Sequence, residues 1–105
     1  MPVSLATEIG ERPPEAVEAA AYFVVSEALA NVARHSGAER AAVSVVRAGR
    51  ILVVEVRDDG KGGASPNGGS GLVGLEERVG ALGGTLVVES PAGGPTSITA
   101  VIPCE

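Results

Sequence analysis

Four side chains in the run SEALANVARHS, residues 26 to 36, have types that could do chemistry together: Glu27, Asn31, Arg34 and His35. On a helix of 3.6 residues per turn they fall within an arc of about 100°, so they share one face. Asparagine is a poor interior helix former, and its presence asks for a reason. Its side-chain carbonyl suits a hard cation such as Mg²⁺ bridging phosphates. Arg34 could touch a phosphate, and Glu27, one turn before Asn31, could orient or deprotonate an attacking group. His35 is the single histidine of the chain, which by itself argues little for a metal site.

A second set follows at DDGKG, residues 58 to 62. Asp58 continues the parity of Leu52, Val54 and Val56, so a carboxylate ends an apolar strand row. A buried acceptor there needs a donor, and the amino group of an adenine would be one. The alternative is a turn aspartate that accepts its own backbone amide. Thr96 has the parity of Ile98, Ala100 and Ile102 and could join Asp58 at a base. The stretch GSGLVG, 69 to 74, matches G-x-G-x-x-G. A dinucleotide fingerprint needs a strand before its first glycine, whereas GKGGASPNG precedes this one, so that reading is set aside. What remains is that Gly69, Ser70 and Gly71 lead into a helix, whose N-terminal amides can take up an anion.

The elements that must position these residues are legible from hydropathy. Val3 to Ile9 reads as a short strand. A helix opens at Pro14, with Glu15 and Glu18 at the positive end of its dipole, and is expected to run to about Ser36, where Gly37 stops it. Its apolar stripe is expected at Tyr22, Val25, Ala28, Leu29 and Val32. AAVSVVR and RILVVEVRDDG, joined at Ala48-Gly49, read as a hairpin. From Gly60 to Gly74 glycine dominates, and the segment reads as a mobile loop. A second helix carries Leu72, Leu75, Val79 and Leu82 and stops at Gly83-Gly84. TLVVES and TSITAVIP close the chain as strands. The predicted fold is therefore α/β: a two-layer sandwich with a mixed, largely antiparallel sheet of about five strands and helices packed on one face.

Composition narrows the classes. The 105 residues suit one domain, spanning 1–105. A net charge of −5 argues against a nucleic-acid or anionic-membrane surface. Cys104 is the single cysteine, which excludes an internal disulfide and a cysteine metal cluster. No run approaches membrane-spanning length, and a cytoplasmic chain is expected.

Together these stretches resemble the ATP-binding catalytic domain of sensor histidine kinases, within the superfamily of gyrase, Hsp90, histidine kinases and MutL (GHKL). EALANVARHS resembles the N box, DDGKG the G1 box (D-x-G-x-G), GSGLVGLEERVGALGG the G2 box with its helix, and PTSITAVIP the closing G-T strand, with Pro95 in place of the glycine. The resemblance implies Mg²⁺ at Asn31, an assisting acid at Glu27 and adenine read by Asp58. It implies ATP contacts from Arg34, His35, Gly60, Lys61, Gly62, Gly69, Ser70, Gly71, Leu72, Gly74 and Thr96. It further implies ATP and Mg²⁺ as ligand and cofactor, a fragment of a longer kinase, a partner histidine on a separate dimerisation domain, and a response regulator downstream. The Arg34-His35 pair, the short lid and GLEERVGALGG point to the kinases acting on LuxR-like regulators. An anti-sigma-factor-type serine kinase, or a regulatory module that binds nucleotide without catalysis, shares the same boxes.

Overall fold

The computed structural model describes residues 3–33, 37–60 and 72–104. In chain order these form β1 (Val3–Glu8), α1 (Glu15–Asn31), β2 (Ala41–Ala48), β3 (Ile51–Asp58), α2 (Leu72–Ala81), β4 (Thr85–Glu89) and β5 (Thr96–Pro103). The sheet runs β1-β2-β3-β5-β4. β1 pairs parallel to β2, and every other pair is antiparallel. α1 lies on β3 and β5 and α2 on β4 and β5, so the sandwich expected from periodicity is the one observed. The expected mobile loop falls almost wholly outside the described residues.

α1 begins where Pro14, with φ −54°, presets the backbone for a helical turn. Glu15 and Glu18 follow in the first turn, and Glu18 takes both guanidinium contacts of Arg12, at 2.8 and 2.9 Å. The buried row of α1 is Val17, Ala20, Ala21, Val24 and Ala28, with Asn31 as its last member. This corrects the expected stripe in part: Ala28 and Val32 are buried as expected. Tyr22 is 76 % exposed, and Val25 and Leu29 are only half buried at the margin of the core. The helix is apolar around most of its circumference, so hydropathy marks no single face. Packing chooses the alanine-rich one because small side chains let the helix backbone approach the sheet. The α-helix proper spans Glu15–Asn31, and helical winding goes on as a wider π turn at Val32 and Ala33, the Val32 amide donating to the Ala28 and Leu29 carbonyls. Ser36, the expected last residue, lies outside the described residues, and Gly37 has φ +64°.

The β2–β3 hairpin turns one residue later than the sequence suggests. Ala48 pairs with Ile51, leaving Gly49 and Arg50 as the two-residue turn, and Gly49 supplies the positive φ of 62°. Beyond it, Leu52, Val54, Val56 and Asp58 all face the helices and are buried, as are Thr96, Ile98, Ala100 and Ile102 on β5. Arg47 clamps this end of the sheet, donating to the carbonyls of Glu11, Arg12 and Cys104.

α2 buries Leu72, Leu75 and Val79, and Arg78 lies 3.9 Å over the Phe23 ring of α1. The helix ends on two backbone bonds, Gly83 to the Gly80 carbonyl and Gly84 to the Val79 carbonyl, both 3.0 Å. Gly83 provides the left-handed φ of 78°. Gly84 answers a different need: a Cβ there would stand 2.6 Å from the Val101 carbonyl oxygen and 2.8 Å from Val79 Cγ1. Because one of those neighbours is sheet backbone, Gly84→Ala is expected to destabilise the fold by about 1–3 kcal/mol, read as a lowered midpoint in urea unfolding.

Candidate functional site

Asp58 is the last residue of β3 and is 6 % exposed. Its Oδ1 accepts the Gly60 amide at 2.8 Å, so the local turn is made. Oδ2 is the remaining acceptor. The two readings of this residue are thus compatible: one oxygen shapes the turn, and the other makes no hydrogen bond among the described residues. Directly across the β3–β5 ladder stands Thr96, also buried, and on the other side Ala41 of β2. The Thr96 hydroxyl lies 2.7 Å from that of Ser90, which follows β4. Ser90 carries no signal in the sequence; only the register that faces β4 with β5 brings it to Thr96.

Asn31 ends the buried row of α1 as Asp58 ends that of β3, and the two elements pack on each other. Glu27, one turn earlier, is half buried. Gly60 is buried beside Asp58. Leu72 opens α2 with its side chain in the hydrophobic core, so only its backbone is available to a ligand. Gly74 is exposed within α2, and no described atom lies within 4 Å of a Cβ built there. The remaining residues that the boxes implicate, Arg34, His35, Lys61, Gly62, Gly69, Ser70 and Gly71, lie outside the described residues.

Asp59, the second acid of the D-D pair, has a structural task. Its Oδ1 accepts the amides of Glu39 at 2.8 Å and Arg40 at 3.0 Å, and its own amide donates to the Arg40 carbonyl at 3.3 Å. The carboxyl is held below the usual carboxylate range, first by the Arg40 amide, with Glu39 adding to it against some loss of hydration. The bond pins the segment between α1 and β2 to the end of β3. The D-D pair therefore divides its labour: the first carboxylate faces the core layer and the second fastens the chain behind it.

A cavity of about 620 Å³ opens at this end of the sheet, reaching Asp58 and Asp59 and bounded by Val3, Arg40, Arg57 and Pro95 among others. Neither Asn31 nor Thr96 lines it, so it adjoins the site without defining it. Among the described residues no three of His, Cys, Asp and Glu gather as a metal cage, and no helix is long and apolar enough to cross a membrane. Any cation at Asn31 would draw its ligands from an amide oxygen and a bound anion, an all-oxygen set that fits Mg²⁺.

Comparison with known proteins identifies the family. Residues 16–105 match the family described as histidine kinase-, DNA gyrase B- and HSP90-like ATPase. The signal transduction histidine-protein kinase/phosphatase DegS of Brevibacillus brevis is 38 % identical over 97 residues, covering 90 % of the chain and 25 % of DegS. The Bacillus subtilis DegS is 32 % identical over 92 residues, covering 82 % of the chain and 24 % of DegS. The chain thus spans about a quarter of these curated relatives. The blue-light activated histidine kinase of Erythrobacter litoralis superposes with a TM-score of 0.72 at 27 % identity, over 96 % of the chain and 35 % of that structure. A two-layer fold, the N- and G1-like motifs at the ends of two packed buried rows, and a family match over nearly the whole chain converge: the chain belongs to the histidine kinase-, DNA gyrase B- and HSP90-like ATPases, as a catalytic domain of the sensor-histidine-kinase type.

Proposed function

We propose that this domain binds Mg·ATP and donates the γ-phosphoryl group to a histidine carried by a separate dimerisation domain, from which a response regulator, of the LuxR-like class, is then phosphorylated. The observation that carries the reading is Asp58: a buried carboxylate with one oxygen spent on its own turn, directly across the ladder from Thr96, at the end of a row otherwise made of core residues. An exocyclic amine is the neutral donor that such an acceptor fits.

Asn31 would hold Mg²⁺ through its side-chain oxygen, and the ion, when bound, would supply charge neutralisation. The backbone amides from Gly69 to Leu72 and the start of α2 take up negative charge. Arg34 and Lys61 add cations, His35 flanks the nucleotide, and the G1 glycines Gly60 and Gly62 let backbone approach it. Glu27 assists transfer by orienting the accepting imidazole. Phosphoryl transfer needs positioning and charge neutralisation more than covalent help, and the donors and cations of this chain are of those kinds. The DegS relatives, described as histidine-protein kinases, favour a histidine acceptor over a serine.

Calorimetric titration with a non-hydrolysable ATP analogue, with Mg²⁺ and with EDTA, tests the assignment. The wild-type chain is expected to bind more tightly with Mg²⁺. Asn31→Ala is expected to lose at least about tenfold of the Mg·ATP affinity and to bind equally with and without the ion. A variant that keeps the wild-type response to EDTA would remove Asn31 from the metal site.

A further inference from the structure

We propose that Ser90 is a positioning residue for base selectivity: it fixes the direction of the Thr96 hydroxyl and, through it, which purine edge the site accepts. The inference rests on the reading of Asp58 and Thr96 as the base site. The geometry is short and sheltered, with Ser90 Oγ 2.7 Å from Thr96 Oγ1, Thr96 buried, Ser90 half buried, and Thr96 directly across the ladder from Asp58.

A hydroxyl has one proton and rotates to suit its neighbours, so an unconstrained threonine can offer a base either a donor or an acceptor. The two purines ask for opposite things. Adenine presents an amino donor beside a ring-nitrogen acceptor, and guanine presents a carbonyl acceptor beside a ring N–H donor. When Thr96 donates to Ser90, its proton is committed and a base meets only its acceptor; when Ser90 donates, one Thr96 lone pair is taken and the Thr96 proton is kept off Ser90, so in either case the rotor has fewer settings than a lone hydroxyl. Removing the Ser90 hydroxyl frees the rotor and lets the site adapt to either.

The Ser90–Thr96 bond is not needed to close the β4–β5 connection. Glu89 already pairs with Ser97, and the Gly94 amide closes the turn on the Pro91 carbonyl at 2.8 Å. The side-chain bond is therefore additional to the hairpin and lies on the layer that faces the helices, where Thr96 is buried.

Competition titrations of Mg·ATP and Mg·GTP against a fluorescent nucleotide test the proposal, with each variant's thermal midpoint measured alongside. Ser90→Ala is expected to shrink the ATP-over-GTP preference about three- to tenfold, the range for one neutral hydrogen bond. Ser90→Thr, which keeps a hydroxyl, is expected to retain it, and Ser90→Cys replaces the alanine variant should that fail to fold. In a Thr96→Val background, Ser90→Ala is expected to change the preference no further. Equal weakening of both nucleotides by Ser90→Ala, or an effect that persists without the Thr96 hydroxyl, overturns the proposal. A wild-type chain that prefers ATP beside an unaltered Ser90→Ala defeats this inference alone. One that binds neither nucleotide defeats the base site itself and the inference with it.

Discussion

Asp58→Asn lowers ATP affinity by about ten- to a hundredfold, the span expected for loss of a hydrogen bond to a charged acceptor, while the circular dichroism spectrum and thermal midpoint stay near wild type. The reason lies in how many acceptors the position needs. Oδ1 takes the Gly60 amide at 2.8 Å, and the proposed base amine requires a second oxygen. A carboxylate provides two acceptors; a carboxamide provides one oxygen and one NH₂. If asparagine keeps its oxygen on Gly60, its NH₂ confronts the amine of the base, donor against donor. If it flips, the NH₂ confronts the Gly60 amide and the turn is lost. The first arrangement is preferred without ligand, which is why the fold survives and binding does not. Wild-type affinity in calorimetry would mean that the base sits elsewhere.

Leu75→Ala acts on the other axis. Leu75 is 0 % exposed in the middle of α2, packed in the core that joins α2 to α1, β4 and β5. Truncating such a side chain removes its transfer free energy and leaves a void that a close-packed core only partly refills. The expected cost is about 2–5 kcal/mol. For a domain of this size that corresponds to a fall in thermal midpoint on the order of 10–30 °C, measurable by differential scanning calorimetry. A fall of only a few degrees would show that α2 is held elsewhere. The two substitutions separate fold from site: Asp58→Asn is expected to change affinity at constant stability, and Leu75→Ala stability at nearly constant affinity below its melting range.

Much of this molecule follows from local chemistry. The parity of Leu52, Val54, Val56 and Asp58, and of Thr96, Ile98, Ala100 and Ile102, fixes which side chains share a face, because alternate residues of a pleated strand must point the same way. Gly83 and Gly49 mark a helix stop and a hairpin turn because positive φ is cheap for glycine, although the hairpin centre falls one residue beyond its expected place. Asp58 is marked by its place, since a carboxylate at the end of an apolar row needs donors from its own turn, from a ligand or from both.

Other features have no local cause. α1 is apolar nearly all round, so its buried face was settled by how closely an alanine row can approach the sheet, and Tyr22, chosen by hydropathy, points to solvent. Asp59 binds amides 19 and 20 residues away, Ser90 meets Thr96 across a turn, and Gly84 is required because the Val101 carbonyl and Val79 both crowd it. The sequence by itself determined the residue types at the site and the faces they occupy, since periodicity is a property of the backbone alone. Tertiary structure decided which of those faces meet and which atoms remain free to act, since strand register and helix docking are set by packing between segments far apart in the chain.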